Sequence, residues 1–148
     1  RFREKEGAAM EKDLQMRIEN ILEALGKLDP FEKERVDKLR QRLHQSLEEY
    51  LGKENIDENR FEQEILFYLE KMDITEEKVR LEQHCKYFLE VMGKPNTLKG
   101  RKLNFISQEM GREINTMGAK AYSSEIQRLV VAMKDDLEKI KEQIANSV

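Results

Sequence analysis

The chain has 148 residues, of which 39% are charged and 39% hydrophobic, with two prolines, seven glycines and a formal net charge of -3. This composition points to a soluble protein built mainly of helices with one exposed face. It excludes an intrachain disulfide framework, because Cys85 is the single cysteine, and a membrane helix, because no apolar run approaches the roughly 20 residues that one needs.

The lone Cys85 fits a reducing cytoplasm, and its helical neighbours Val79, Leu81, Phe88 and Leu89 make it a core filler. The hydrophobic content is low, so part of the apolar surface is expected to serve a partner chain, which makes a homo-oligomer the expected state. The chain opens on Arg1 inside a run that already reads as helix, so it is expected to be the piece of a longer protein that follows a missing N-terminal half.

Taken in order, Met10, Leu14, Ile18, Ile21, Leu22 and Leu25 follow the three-and-four spacing of one helix face that ends near Gly26. Asp29-Pro30 reads as a restart, with Asp29 as cap and Pro30 in the first turn. Phe31, Val36, Leu39, Leu43, Leu47 and Leu51 then carry a second helix to Gly52. Residues 1–55 are therefore expected to form a long helical arm. After the polar stretch 53–59, Phe61, Ile65, Leu66, Leu69 and Met72 predict a third helix.

Asp73-Ile74-Thr75-Glu76 has capping-box spacing and should open a fourth helix that runs to about Met92. Gly93-Lys94-Pro95-Asn96-Thr97 is the clearest breaker in the chain. A fifth helix from about Lys99 carries Leu103, Ile106, Met110, Ile114 and Met117, with Gly118 placed to end it. The last helix, from Ser123 or Ser124, holds Ile126, Leu129, Val130, Met133, Leu137, Ile140 and Ile144 in one stripe that needs an apolar partner. No segment alternates as a strand, so the expected fold is all-α: elongated antiparallel helices, then a compact helical bundle over 56–148.

Chemistry concentrates in the polar positions. Glu109, Glu113, Thr116 and Lys120 fall at spacings of four, three and four, which aligns them on one stripe of the fifth helix, with Gln108, Arg112 and Asn115 beside it. On the fourth helix Glu77, Arg80 and His84 share a face. Between Gly93 and Lys120 six bases stand against two acids, a local charge of +4 in an acidic chain. Carboxylates one turn apart among bases can hold a hard divalent cation while the bases neutralise phosphate, and His84 can ligate a metal or move a proton near neutral pH. The blander account makes Glu77 with Arg80, and Glu109 with Arg112 and Glu113, ordinary intrahelical partners. His44, amid Arg42, Gln45 and Glu48, reads as a solvated surface residue.

The ordered block Gly100-Arg101-Lys102-Leu103-Asn104-Phe105, Gln108-Glu109, Arg112-Glu113, Asn115-Thr116 and Lys120 resembles the signature of the YicC-like endoribonuclease family. Asn59-Arg60-Phe61-Glu62-Gln63-Glu64 and Asp73-Ile74-Thr75-Glu76-Glu77, with Arg80-Leu81-Glu82 and His84, resemble a second family block, and Arg3-Glu4-Lys5-Glu6-Gly7 is similar to the start of the family's C-terminal region. Gly111 departs from the Asn common there and Ala119 from the Ser. The resemblance implies a cytoplasmic, oligomeric, metal-dependent endoribonuclease using Mn²⁺ or Mg²⁺ and no small-molecule cofactor, with RNA as partner and no membrane. On this reading His84, Glu109, Arg112 and Glu113 are catalytic; Glu77, His84, Glu109 and Glu113 hold metal; and Lys99, Arg101, Lys102, Arg112 and Lys120 contact RNA. The rival from another class is a non-catalytic helical assembly module, with the polar block as an internal charge network.

Overall fold

The computed structural model describes residues 4–95 and 99–147, and every helix expected from apolar spacing is present. In chain order they are α1 (Glu4–Gly26), α2 (Leu28–Leu51), α3 (Glu58–Met72), α4 (Thr75–Met92), α5 (Lys99–Ala119) and α6 (Ser124–Ser147). A single 3₁₀ turn, Lys53–Asn55, follows α2, and no strand occurs among the described residues. The fold is all-α. Asn96 and Thr97, two of the five residues of the predicted breaker, lie outside the described residues, as does Arg3.

Several helix ends follow from local chemistry. Asp57 caps α3, its carboxylate accepting from the backbone N–H of Asn59 and Arg60. Asp73 Oδ1 accepts from Thr75 N at 2.9 Å and from Thr75 Oγ1 at 2.6 Å, which sets the turn into α4. Ser123 starts α6, its hydroxyl accepting from Ile126 N at 3.2 Å. The break between α1 and α2 is short. Only Lys27 interrupts the two helices, so Pro30 falls in the first turn, where its missing N–H costs nothing. Asp29 does not cap; its carboxylate pairs with Lys78 of α4 at 2.8 Å.

Helices α1, α4, α5 and α6 share one core, with α4 against α5, α5 against α6, α6 against α1 and α1 against α4. Thus α1 joins the bundle, while α2 and α3 form a hairpin beside it. The stripe of α6 finds its partner inside this chain: Ile126, Val130, Met133, Leu137, Ile140 and Ile144 are all buried against α1 and α5. It therefore gives no reason to expect a second copy. Large apolar side chains that stay exposed include Tyr50, Leu51, Leu66 and Phe67 on the hairpin. Cys85 is buried in the core, and desolvation pushes its thiol up to about 12. Val79, expected beside it, faces solvent.

The glycines of α5 mark its approach to α6. Gly118 does not terminate α5, which continues to Ala119; a Cβ there would sit 3.2 Å from Val130 Cγ1, so its smallness serves helix packing. At Gly111 the nearest atom to a Cβ would be Leu137 Cδ2 at 3.4 Å, an ordinary contact. Gly111→Ala is thus expected to raise unfolding free energy by about 0.5–1 kcal/mol, through helix propensity and unfolded-state entropy. Gly118→Ala should gain less or lose. Thermal melts of the two variants check this, and the reverse ranking would refute the packing argument.

The hairpin carries a pH-sensitive clasp. His44 is not simply solvated: its Nδ1 lies 3.2 Å from Glu48 Oε1 and its Nε2 lies 3.0 Å from Glu58 Oε1 on α3. Its ring meets Phe61 edge to face at 5.1 Å. The hydrogen bond to Glu58 is the largest cause raising the imidazole above its ordinary value. A raised folded value means stabilisation that is complete below about pH 6.5 and lost as pH rises through the folded value. Amide exchange in α2 and α3 should accelerate as pH rises from about 6.5 through the folded value, and His44→Gln should abolish that dependence. A hairpin whose exchange, after correction for intrinsic chemistry, ignores pH would exclude the clasp.

Candidate functional site

Helices α4 and α5 run antiparallel, and their predicted polar faces meet. Lys120 Nζ lies 2.9 Å from Glu77 Oε2 and donates also to the Asp73 carbonyl at 3.1 Å. Arg80 Nε lies 3.1 Å from Glu113 Oε1, while its Nη1 reaches Glu76 at 3.2 Å. The partners come from opposite helices, so the intrahelical account fails for Glu77 and Glu113. It holds only for Glu109 and Arg112, 3.8 Å apart on one helix. Stepping antiparallel from the Arg80–Glu113 pair sets His84 level with Glu109, and stepping from the Lys120–Glu77 pair sets it level with Glu113, so His84 stands opposite the Glu109–Glu113 turn of α5.

The two acids in the ladder differ from Glu109 in burial. Glu77 and Glu113 are buried, at 4% and 9% exposure, and each is neutralised by one base. Buried carboxylates with a partner are tolerable, and without one they are costly. Glu113 in turn holds the Arg80 guanidinium above its ordinary value. His84 is half-buried and makes no hydrogen bond or ion pair among the described residues. No described side chain occupies its ring nitrogens.

The predicted RNA contacts spread along α5. Arg101 and Lys102 are exposed near its start and Lys120 sits past its end, about 28 Å away at 1.5 Å per residue. Lys102, Glu109, Glu113 and Lys120 repeat at helical spacing, with exposed Phe105, Gln108 and Arg112 beside them. Lys99 departs from this set, since its Nζ is engaged by Glu11 of α1 at 3.0 Å.

As for the proposed metal, among the described residues no three His, Cys, Asp or Glu side chains gather as a cation would require. Glu77 and Glu113 already face Lys120 and Arg80. Within one chain the donor set does not fit a divalent ion in this arrangement.

Sequence reasoning missed Arg35. Its Nη1 donates to the Lys120 and Ala121 carbonyls at 2.7 and 2.6 Å, and its Nη2 donates to the Met72 carbonyl at 2.5 Å. One buried guanidinium from α2 thereby ties the end of α3 to the turn that presents Lys120. Burial pulls its pKa down, against the raising fields of Glu32 and Asp73.

Residues 28–147 match the family described as endoribonuclease YicC-like, C-terminal, which takes in α2 through α6 and the whole ladder. The chain belongs to the YicC-like endoribonuclease family. It is 37% identical over 146 residues to a probable endoribonuclease YicC of Clostridioides difficile and 32% identical over 145 residues to one of Haemophilus influenzae. Each alignment covers 98% of this chain and 50% of the relative, so the chain spans about half the length of the curated relatives it matches. Among the described residues no helix is long and apolar enough to cross a membrane.

Proposed function

We propose that the α4–α5 face is the RNA-cleaving face of a YicC-type endoribonuclease. The observation that carries this reading is the ladder itself. Two predicted faces from separate helices meet as Lys120–Glu77 and Arg80–Glu113, with the unpartnered His84 on the same face, opposite the Glu109–Glu113 turn. In this reading the bases along α5 hold the phosphate backbone by charge, chiefly Arg101, Lys102 and Arg112, since Lys120 and Arg80 are tied to carboxylates. His84 moves a proton to or from a reacting oxygen of the scissile linkage, Glu109 across the α4–α5 face orients that exchange, and Arg112 faces the phosphate charge. Glu113 and Glu77 act by positioning Arg80 and Lys120.

The family membership supports RNA as the substrate, and the +4 segment between Gly93 and Lys120 supplies the sign of charge that RNA requires. The test incubates labelled single-stranded RNA with the chain and with the longer protein expected to contain it. Each is assayed with Mn²⁺, with Mg²⁺ and in chelator. Cleavage in any arm that disappears in His84→Gln supports the site. Unchanged cleavage in that variant, or intact RNA in every arm, removes this reading and favours a helical assembly module.

A further inference from the structure

We propose that a second site, on the other side of the α5–α6 turn, binds a single ribonucleotide unit, either free or unstacked from an RNA strand. It is a cleft of about 360 Å³ between α2, the end of α3 and the start of α6. That volume lies at the small end of ligand pockets and suits one nucleotide, not a duplex. The proposal rests on the RNA reading above only in naming where the ligand comes from.

The lining has the parts that such a unit needs. Phe31, Tyr68 and Tyr122 supply aromatic surface for a base, and stacking is the sequence-tolerant way to hold one. Tyr122 is two-thirds exposed and has φ of +45°, the one non-glycine residue of positive φ among those described. That left-handed conformation disfavours a side chain, yet here it puts a tyrosine at the cleft. Arg42 and Lys71 stand at the lining without an acidic partner; Lys71 Nζ lies over the exposed Phe67 ring, 4.5 Å from its centroid, and can swing from there to a phosphate held by Arg42. Arg35, 93% buried, also lines the cleft, with its guanidinium engaged by the Met72, Lys120 and Ala121 carbonyls.

Glu125 argues for ribose. Its carboxylate already occupies the start of α6, taking hydrogen bonds from the Ser123 and Ser124 hydroxyls at 3.1 and 3.2 Å. An anionic phosphate is therefore unwelcome at that helix start and belongs at the Arg42 and Lys71 end. A carboxylate is instead an acceptor for sugar hydroxyls, and the 2′-hydroxyl separates RNA from DNA.

Calorimetric titration of the chain with the four ribonucleoside 5′-monophosphates, their deoxy counterparts and a short single-stranded RNA tests this. At least one ribonucleotide, or the RNA, should bind more tightly than its deoxy form. The mononucleotides and the RNA distinguish a free from a chain-borne source. Arg42→Ala with Lys71→Ala should weaken binding roughly tenfold or more, because both side chains are exposed and outside the core. Tyr122→Gly should also lose binding while relieving the backbone, so lost affinity there is not lost folding. Glu125→Gln should narrow the preference for ribose. No binding in any arm, equal affinity for deoxy forms, or binding indifferent to the Arg42, Lys71 and Tyr122 changes overturns the proposal. Nucleotide binding without RNA cleavage would remove only the cleavage reading, and cleavage without binding here would remove only this one.

Discussion

Replacing Arg35 by alanine is expected to destabilise the fold by about 3 kcal/mol, because it strips the partner from three carbonyls and opens a void between α2 and the bundle. The three acceptors, on Met72, Lys120 and Ala121, lie at the end of α3 and just past α5, where no intrahelical donor remains. For a chain of this size that cost lowers the melting temperature by about 10 °C. Arg35→Met keeps most of the volume and isolates the hydrogen-bond share. Arg35→Lys supplies a point charge for one or two of the carbonyls and should fall between. Calorimetry on the three variants checks the order. A melting point within about 2 °C of the parent for Arg35→Ala would mean that the turn is held by packing alone.

The contrast between Arg35 and the helices shows what the sequence makes legible. Apolar spacing is local, so Leu14, Ile18 and Ile21, or Met110, Ile114 and Met117, announce their helix and its buried side. Arg35 reads as one more charge on an amphipathic face, because its acceptors are backbone groups 37 to 86 residues away that have no sequence signature. The α6 stripe was legible as buried, but whether α1 or another chain buries it depends on tertiary packing. Gly118 illustrates a third case: a glycine near a helix end suggests a stop, while here a Cβ at that position would press on Val130. For the site, spacing placed Glu77 and His84 on one face, and Glu109 and Glu113 on another. It did not foresee that Lys120 and Arg80 would neutralise the two buried acids, since cross-helix pairing depends on register.

Glu113→Gln is expected to reduce RNA cleavage by roughly two orders of magnitude while leaving helicity unchanged, if Arg80 must be held in place for the reaction. Glutamine preserves size and an acceptor for Arg80 Nε at the position now 3.1 Å away, but removes the charge that fixes the guanidinium. Arg80 is nearly half exposed and retains Glu76, so the stability cost should stay near or below about 1 kcal/mol. Glu109→Gln touches stability less still, because its one cation contact, with Arg112, is long and on an exposed helix face. It should nevertheless lower cleavage by a comparable factor, since the proposed reaction uses Glu109 to orient the His84 proton exchange. The two substitutions therefore separate function from structure. A charge network that merely holds α4 to α5 predicts a lower melting point for Glu113→Gln, no effect of Glu109→Gln, and parental cleavage in both. Initial rates on labelled RNA, measured beside thermal melts, decide between these outcomes. Parental rates in both variants would leave the ladder as a structural clamp and move the search for catalytic groups elsewhere in the family's longer chain.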